Sequence, residues 1–420
     1  MDSSPCIGDK ALFAPYILPV DLEQNDVYPS YTHPEDQEKV KRLIWLDVSK
    51  GVAILWVVYF HFFKDTYKGA PSPISKGFIA KVAGPDGWDG FGASIVTFGK
   101  ILGIGVSQLG FHAVGAFLVL SGWAVLQATE RRATKGPIEW GKWYWSRFIR
   151  LYPMYWVAHL IYLLSPFVAR FEPVDGRIIL SLLGLRFIDI SMNFMYLNAA
   201  WWYFSMLIQF YVAFPILYYG LRKLGGWPFL ALACLAGLFA RYMMLVVFPQ
   251  NGSWVMGGFA LCRLPEFALG MVLGGWHQRN QAHAERILLG GPGLAVGVLL
   301  YPLAMTLYAN PHTYVFVDLA TGACCFLVIV GVAGLICRLD RVSRWIALVG
   351  VFSYGLYLIH QPYVIWVGVR IKEQPVWVFL LLAVALMIIL SVWGMLLEKS
   401  TNVLIDRLTS KKRRTSSASS

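Results

Sequence analysis

Two ionisable side chains stand in the first apolar stretch of the chain, RLIWLDVSKGVAILWVVYFHFFKD, which covers residues 42–65. Asp47 lies near its start and His61 near its end. At about 1.5 Å and 100° per residue, a helix would separate them by roughly 21 Å but return both to nearly the same face. An imidazole can take a proton from a hydroxyl and return it to a leaving group, so the pair suggests a buried catalytic path. The alternative is a histidine wetted by lipid headgroups and an aspartate that caps the helix.

A second candidate is WSRFIRLYP, residues 145–153, where Arg147 and Arg150 share a helix face just before Pro153. Two guanidinium groups so placed can bind a phosphate in a bidentate manner, which lysine cannot do. The alternative is that these arginines only anchor the helix at the cytoplasmic surface of a membrane.

The segment FHAVGAFLVLSGW, residues 111–123, contains Ser121 and Gly122 in the middle of an apolar run. Small residues at this depth let helices approach closely, and a serine hydroxyl can form a hydrogen bond between them. The flanking glycines of a nucleophile elbow are absent, so the segment does not predict a serine hydrolase.

Polar side chains recur in later apolar runs, at Gln209 and at Arg263 and Glu266 of CRLPEFALGM. Ionisable residues are costly inside a bilayer, so each is a candidate for function. Arg263 and Glu266 are three residues apart and can instead neutralise each other.

The segment SYGLYLIHQP, residues 353–362, carries Ser353, Tyr357 and His360 at helical spacing. One face of this helix is therefore polar. In an apolar environment that face is expected to point into the protein.

The composition predicts an integral membrane protein. Hydrophobic residues make up 57% of the 420 and charged residues only 14%, whereas a soluble protein carries about a quarter charged residues. The net charge of +12 does not indicate a nucleic-acid partner, because the basic residues are spread between the apolar runs. The expected fold is an all-α, polytopic membrane helix bundle with about ten transmembrane helices. They are placed at 44–63, 109–129, 150–169, 200–219, 228–248, 257–276, 288–308, 314–336, 345–367 and 376–396.

The distribution of lysine and arginine predicts the orientation and the domains. Basic residues gather in alternate connections and in the KKRR of residues 411–414, which favours a cell-membrane protein with both termini in the cytoplasm. Residues 1–40 are expected to form a polar tail, 41–399 the transmembrane domain and 400–420 a basic, serine-rich tail. A weaker apolar stretch at 92–107 is expected to be re-entrant or interfacial.

Taken together, these motifs resemble the membrane-bound acyltransferase 3 family. The resemblance extends over residues 42–397, and its strength is the order of the motifs. They are the D-x-x-K-G opening that leads to His61, FLVLSGW, R-x-x-R before LYP, WWYFS with QFY, PEFALGM, and SYGLYLIHQP.

The resemblance implies an enzyme that moves an acyl group, commonly acetyl, from a coenzyme A thioester to a hydroxyl of a carbohydrate or another exported acceptor. His61 is then the expected catalytic histidine, with Asp47 and Glu266 as further candidates. Arg147, Arg150 and Lys50 would hold the acyl-coenzyme A donor, a co-substrate; no tightly bound cofactor and no metal are expected. Residues expected to line the substrate path are Ser121, Trp201, Trp202, Gln209, Tyr357 and His360.

Two features differ from the usual family pattern. Many members have two glutamates before Q-F-Y, where this chain has Leu207 and Ile208, and many have arginine at the position of Lys50. The buried polar groups also suit a transporter or flippase of a lipid-linked precursor, or a scaffold that has lost activity. The missing internal repeat argues against transport.

Overall fold

The computed structural model describes residues 43–66, 78–84, 89–168, 172–250 and 252–417. The predicted N-terminal tail lies outside these ranges. Within them the secondary structure is helical and contains no strand, so the predicted all-α class is confirmed. The helices are α1 (Ile44–Thr66), α2 (Phe78–Ala83), α3 (Phe91–Leu109), α4 (Ala113–Ala133), α5 (Trp140–Leu164), α6 (Ile178–Leu182), α7 (Met192–Met195), α8 (Trp202–Leu224), α9 (Gly226–Tyr242), α10 (Leu264–Arg279), α11 (Gln281–Leu288), α12 (Gly291–Thr306), α13 (Pro311–Tyr314), α14 (Val317–Ile336), α15 (Asp340–Val351), α16 (Ser353–Ile371) and α17 (Val376–Ser417).

Seven helical segments of the described chain are long and apolar enough to cross a membrane, and the bent pair α15–α16 raises the number to eight. The protein is therefore a polytopic membrane helix bundle. Helices also form at the two remaining predicted spans, as α5 and α10. However, α10 has only 16 residues, and the arginines and His159 of α5 lower its hydropathy.

Helix α1 lies at the centre of the bundle. It packs against α4, α14, α15 and α16, and 61% of its most apolar window is buried, compared with 17% for α12 and for α17. Its buried side chains form one core with α4 and α14. The central position explains why this helix can present a polar side chain to the interior rather than to lipid.

The predicted single helix at 345–367 is wrong in one respect, because the chain bends by 78° between α15 and α16. Helix α15 crosses α1 so closely that a Cβ at Gly350 would overlap the carbonyl oxygen of Asp47. The break lets α15 lie against the start of α1 and α16 run beside the rest of it. The backbone of Asp47 thus contacts α15, and the side chain of His61 contacts α16.

Two predicted boundaries also change. Helix α3 continues through a short 3-10 turn, Gly110–His112, into α4, so that residues 91–133 form one apolar helical segment. At about 1.5 Å per residue it spans roughly 65 Å, about twice a hydrocarbon core of roughly 30 Å. Helix α17 continues to Ser417, into the region predicted as a tail.

The close packing predicted around Ser121 and Gly122 is present. A Cβ at Gly122 would overlap the carbonyl oxygen of Phe267, and a Cβ at Gly270 would overlap that of Val119. Helices α4 and α10 therefore meet backbone to backbone, which requires glycine at both positions.

Candidate active site

His61 faces α16, where its imidazole lies beside Gln361 and His360. The side-chain Nε2 of Gln361 is 3.2 Å from Nδ1 of His61. The ring centroids of His61 and His360 are 5.2 Å apart, with the planes tilted by 51°. His61 is half-buried and His360 is fully buried. The fold thus brings together two predicted site residues that are about 300 positions apart in the sequence.

The turn that precedes α8, residues 198–201, is attached to α16 beside this cluster. The backbone N–H of Ala200 donates to Oε1 of Gln361 at 2.6 Å, and the hydroxyl of Tyr357 donates to the carbonyl oxygen of Ala200 at 2.6 Å. Gln361 therefore bridges a fixed backbone group and the His61 ring. The polar face predicted for α16 does point into the protein.

Ser121 joins this polar region through Tyr203. The two hydroxyls share a hydrogen bond of 2.9 Å, and the ring of Tyr203 lies 5.7 Å from that of Tyr357. Ser121 of α4 is thus linked to α8 by a hydrogen bond, and α8 contacts α16 through the rings of Tyr203 and Tyr357. The prediction that Ser121 forms a hydrogen bond between helices is confirmed.

The two predicted tryptophans have packing contacts. Trp201 is fully buried, is stacked on His159 with 3.8 Å between ring centroids, and donates its indole N–H to the carbonyl of Leu358. Trp202 is half-buried, and Gly257 lies directly against its ring. These contacts hold the start of α8 in place.

Gln209 lies in a different place from the histidines. Its Nε2 donates to the carbonyl of Gly258 at 3.0 Å, and its Oε1 accepts from the backbone N–H of Ala260 at 3.1 Å. The side chain thus replaces backbone hydrogen bonds in the irregular segment before α10. These two hydrogen bonds fix the orientation of the Gln209 amide.

Asp47 lies at the opposite end of α1 from His61, where it forms an ion pair of 3.3 Å with Lys50. The separation of roughly 21 Å along the helix axis excludes direct contact between the Asp47 carboxylate and the His61 ring. Asp47 and Lys50 contact each other within the first two turns of α1.

Arg147 and Arg150 differ in their surroundings. Arg147 is buried, with its guanidinium 5.1 Å from the centroid of the Trp143 ring and 5.9 Å from that of Tyr211. Arg150 is exposed and lies near enough to Glu398 to interact with it electrostatically. Stacking on aromatic rings holds a guanidinium in a fixed orientation. The exposed Arg150 is the one that a ligand can reach directly.

Leu151, which follows Arg150 in α5, contacts α16 and so relates the arginine pair to the histidines. The hydroxyl of Tyr354 donates to the carbonyl of Leu151 at 2.8 Å. His360 lies six residues further along α16, which corresponds to about 9 Å along the helix axis. The arginine pair and the histidine pair are therefore about two helical turns apart in depth.

Glu266 belongs to a separate, buried ion cluster. It lies 2.7 Å from Arg263, which lies 3.3 Å from Asp318, which in turn lies 2.5 Å from Arg241. Two positive and two negative groups cancel in this cluster, which joins α9, α10 and α14. The mutual neutralisation of Arg263 and Glu266 considered from the sequence is present.

The sequence interpretation did not single out Gln361, Arg241 or Asp318. Arg241 and Asp318 are ionisable residues inside apolar runs, so the rule that had selected Arg263 and Glu266 would have selected them as well. Gln361 follows His360 directly, and its position gave no signal of its own. Its contact with His61 arises only because α1 and α16 pack together.

The described residues thus form a polytopic helix bundle with a histidine pair in its interior and an arginine pair on α5. The family model for the acyltransferase domain, acyltransferase 3, matches residues 43–396. The chain belongs to this family, which confirms the resemblance seen in its motifs. It is a membrane acyltransferase, and its reaction requires an acyl donor and an acceptor. In the same comparisons, no curated protein and no solved structure matched the chain.

Proposed function

We propose that this protein is an O-acyltransferase of a cell membrane that uses a coenzyme A thioester as donor. The acyl group is proposed to be acetyl, and the acceptor a hydroxyl of a cell-surface or exported carbohydrate. Both termini are proposed to lie in the cytoplasm, on the side of Asp47. The observation that carries the proposal is the interior position of His61, beside Gln361 and His360, in a chain of the acyltransferase 3 family.

His61 acts in this proposal as the proton carrier. Its imidazole takes the proton of the acceptor hydroxyl, whose oxygen attacks the carbonyl carbon of the thioester. The carbon–sulfur bond then breaks, and the thiolate of coenzyme A takes up that proton. The products are the acyl ester and free coenzyme A.

The arginine pair supports the choice of donor. Coenzyme A is anionic at its nucleotide end and carries the acyl group at the end of an extended arm. With the phosphates near Arg150, such an arm has about 9 Å of depth to cover before it reaches the level of His360. A donor of this shape therefore fits the vertical separation between the two pairs.

The primary test is transfer of label from acetyl-coenzyme A to candidate glycans by the purified protein in detergent. His61→Ala is expected to abolish transfer, because it removes the imidazole that takes the proton of the acceptor hydroxyl. His283→Ala is the matched control, since His283 is exposed near the other end of the bundle, and this variant should retain transfer. Full activity of His61→Ala would refute the mechanism. A wild-type protein that labels no glycan would favour the transporter alternative.

A second test addresses the donor site. Replacing Arg147 and Arg150 together with alanine is expected to raise the KM for acetyl-coenzyme A by at least tenfold, equivalent to about 1.4 kcal/mol. Lys142→Ala is the control, because Lys142 is exposed on the same helix and is paired with Glu139. An unchanged KM in the double variant would exclude the arginines from donor binding.

A further inference from the structure

The contact of the Gln361 amide with a backbone N–H group fixes which end of the amide is the oxygen. The backbone N–H of Ala200 lies 2.6 Å from one end of this amide. A backbone N–H can only donate, so the amide atom that faces it must be the oxygen. The other end, which faces Nδ1 of His61 at 3.2 Å, is then the NH2 group. The usual ambiguity between the two amide orientations is thereby removed.

An NH2 group requires an acceptor opposite it. Nδ1 of His61 must therefore carry a lone pair and no proton. In a neutral imidazole only one nitrogen is protonated, so the proton of His61 lies on Nε2. This is the reverse of the arrangement in which a carboxylate accepts an N–H from Nδ1 and leaves Nε2 as the base.

His360 has the opposite constraint. Its Nδ1 lies 2.8 Å from the carbonyl oxygen of Tyr357 and 3.3 Å from that of Leu356, one turn back along α16. Carbonyl oxygens only accept, so Nδ1 of His360 carries the proton and its lone pair lies on Nε2. The two neighbouring rings are thus held in different tautomers, one by a side chain and one by the backbone.

We propose that Gln361 is the positioning residue of His61, and that the hydrogen bond from Ala200 through Gln361 holds the neutral His61 ring with its proton on Nε2 and its lone pair on Nδ1. This inference concerns the proton carrier of the proposed acyl transfer and in that respect rests on the proposed function. In this tautomer Nε2–H of His61 can donate to a ligand, whereas Nδ1 can take a proton from a hydroxyl only when that hydroxyl replaces the Gln361 NH2 group beside it.

The attachment of this turn makes the constraint rigid. Besides the bond to Gln361, the turn accepts a hydrogen bond from Tyr357 at Ala200 and donates one to the carbonyl of Leu358 from Asn198. Rotating the Gln361 amide would place its NH2 group against the Ala200 N–H, two donors facing each other. The Ala200 N–H, which also contacts Oδ1 of Asn198 at 3.0 Å, would then lose the shorter of its two hydrogen bonds. The amide therefore stays in the orientation that selects one tautomer.

The test is nitrogen NMR of the full-length protein in lipid nanodiscs with 15N-labelled histidine. Spectra are recorded without substrates at a pH of about 8, where an ordinary imidazole with a pKa of about 6.5 is neutral. The protein has eight histidines. Signals of the pair are assigned by their loss in His61→Ala and His360→Ala. We expect a protonated Nε2 and an unprotonated Nδ1 for His61, and the reverse for His360. A protonated Nδ1 in His61 would overturn the inference.

The Gln361→Glu variant provides the decisive comparison. A carboxylate can still accept from Ala200, but it must also accept from His61, so the proton of His61 is expected to move from Nε2 to Nδ1. Gln361→Met, which removes the constraint, should give a mixture of both tautomers. The signals of His360 serve as the internal control for folding, because its Nδ1–H bonds to backbone and not to Gln361. A His61 tautomer that is the same in all three proteins would refute the role of Gln361.

Gln209→Glu is the matched control, since Gln209 is also an interior glutamine with its amide between two backbone groups. It should leave the His61 signals unchanged, and an equal shift in this variant would count against a specific role of Gln361. The measurement needs no turnover. If the tautomer is as expected but no acyl transfer is found, the proposed function fails and the inference stands. If transfer occurs with the opposite tautomer, only the inference fails.

Discussion

Removing one charge from the buried cluster of Arg241, Arg263, Glu266 and Asp318 is expected to destabilise the protein strongly. Asp318 lies within 2.5 Å of Arg241 and 3.3 Å of Arg263 and is 8% exposed. Asp318→Asn would leave two guanidinium groups and a single carboxylate in the interior. Breaking a buried ion pair from one side costs about 3 to 5 kcal/mol, because the remaining charge is uncompensated.

The converse variant, Arg241→Met, is expected to cost as much or more. It leaves two carboxylates with one guanidinium, and the carbonyls of Val315 and Tyr314 lose the donors that Arg241 supplies at 2.6 and 3.2 Å. The double variant restores the charge balance, since Arg263 and Glu266 remain as a pair. Its remaining cost is that of the two carbonyls, at about 1 to 3 kcal/mol each, so it should be more stable than the sum of the single variants predicts.

The assay is thermal unfolding of the purified variants in nanodiscs, followed by the fluorescence of the 17 tryptophans. The midpoint should fall markedly in both single variants and recover in part in the double variant. Asp175→Asn is the control, because the pair of Asp175 with Arg177 lies outside the apolar helices and is accessible to solvent. Strictly additive losses, or a wild-type midpoint for Asp318→Asn, would refute the charge-balance reasoning.

Two further variants test how the site is supported. Gly270→Val is expected to lower the unfolding midpoint by overpacking α4 against α10, at a cost of about 1 to 3 kcal/mol. Gly141→Val is the control, because a Cβ there meets no neighbour, and its midpoint should not fall. Equal midpoints for the two variants would contradict the close approach of α4 and α10. Arg186→Met removes a fully buried guanidinium that donates to four backbone carbonyls between Met192 and Asn198. Limited proteolysis between residues 178 and 198 is therefore expected to accelerate, and an unchanged cleavage pattern would show that this arginine does not hold the segment.

The class of protein and most of its helices were accessible from the sequence. Long apolar runs can be satisfied in a membrane only as helices, since every backbone polar group must then bond within its own segment. The order of motifs gave the family. The helical spacing of Tyr357 and His360 predicted a polar interior face, and the spacing of Asp47 and His61 placed both on nearly the same face of one helix. The apolar runs and the helical spacings are local features of the sequence, and the order of motifs can be read along it directly.

The bend between α15 and α16 was not accessible in this way. Residues 340–371 read as a mostly apolar run, and no proline marks position 352. The bend accompanies the contact of Gly350 with the carbonyl of Asp47, which is a property of two helices and not of one. The contacts of Trp201 and Gln209 likewise involve residues of other segments, which the helical pattern of the sequence does not identify.

The sequence by itself determined that His61 stands in an apolar helix and that His360 belongs to a polar helix face. Only the tertiary structure decided that the two rings are neighbours, and that Gln361 stands between His61 and Ala200. The physical reason is that a hydrogen bond between groups distant in the chain depends on the packing of whole helices. The tautomer of His61 is set by that bond, so it is a property of the fold rather than of the local sequence.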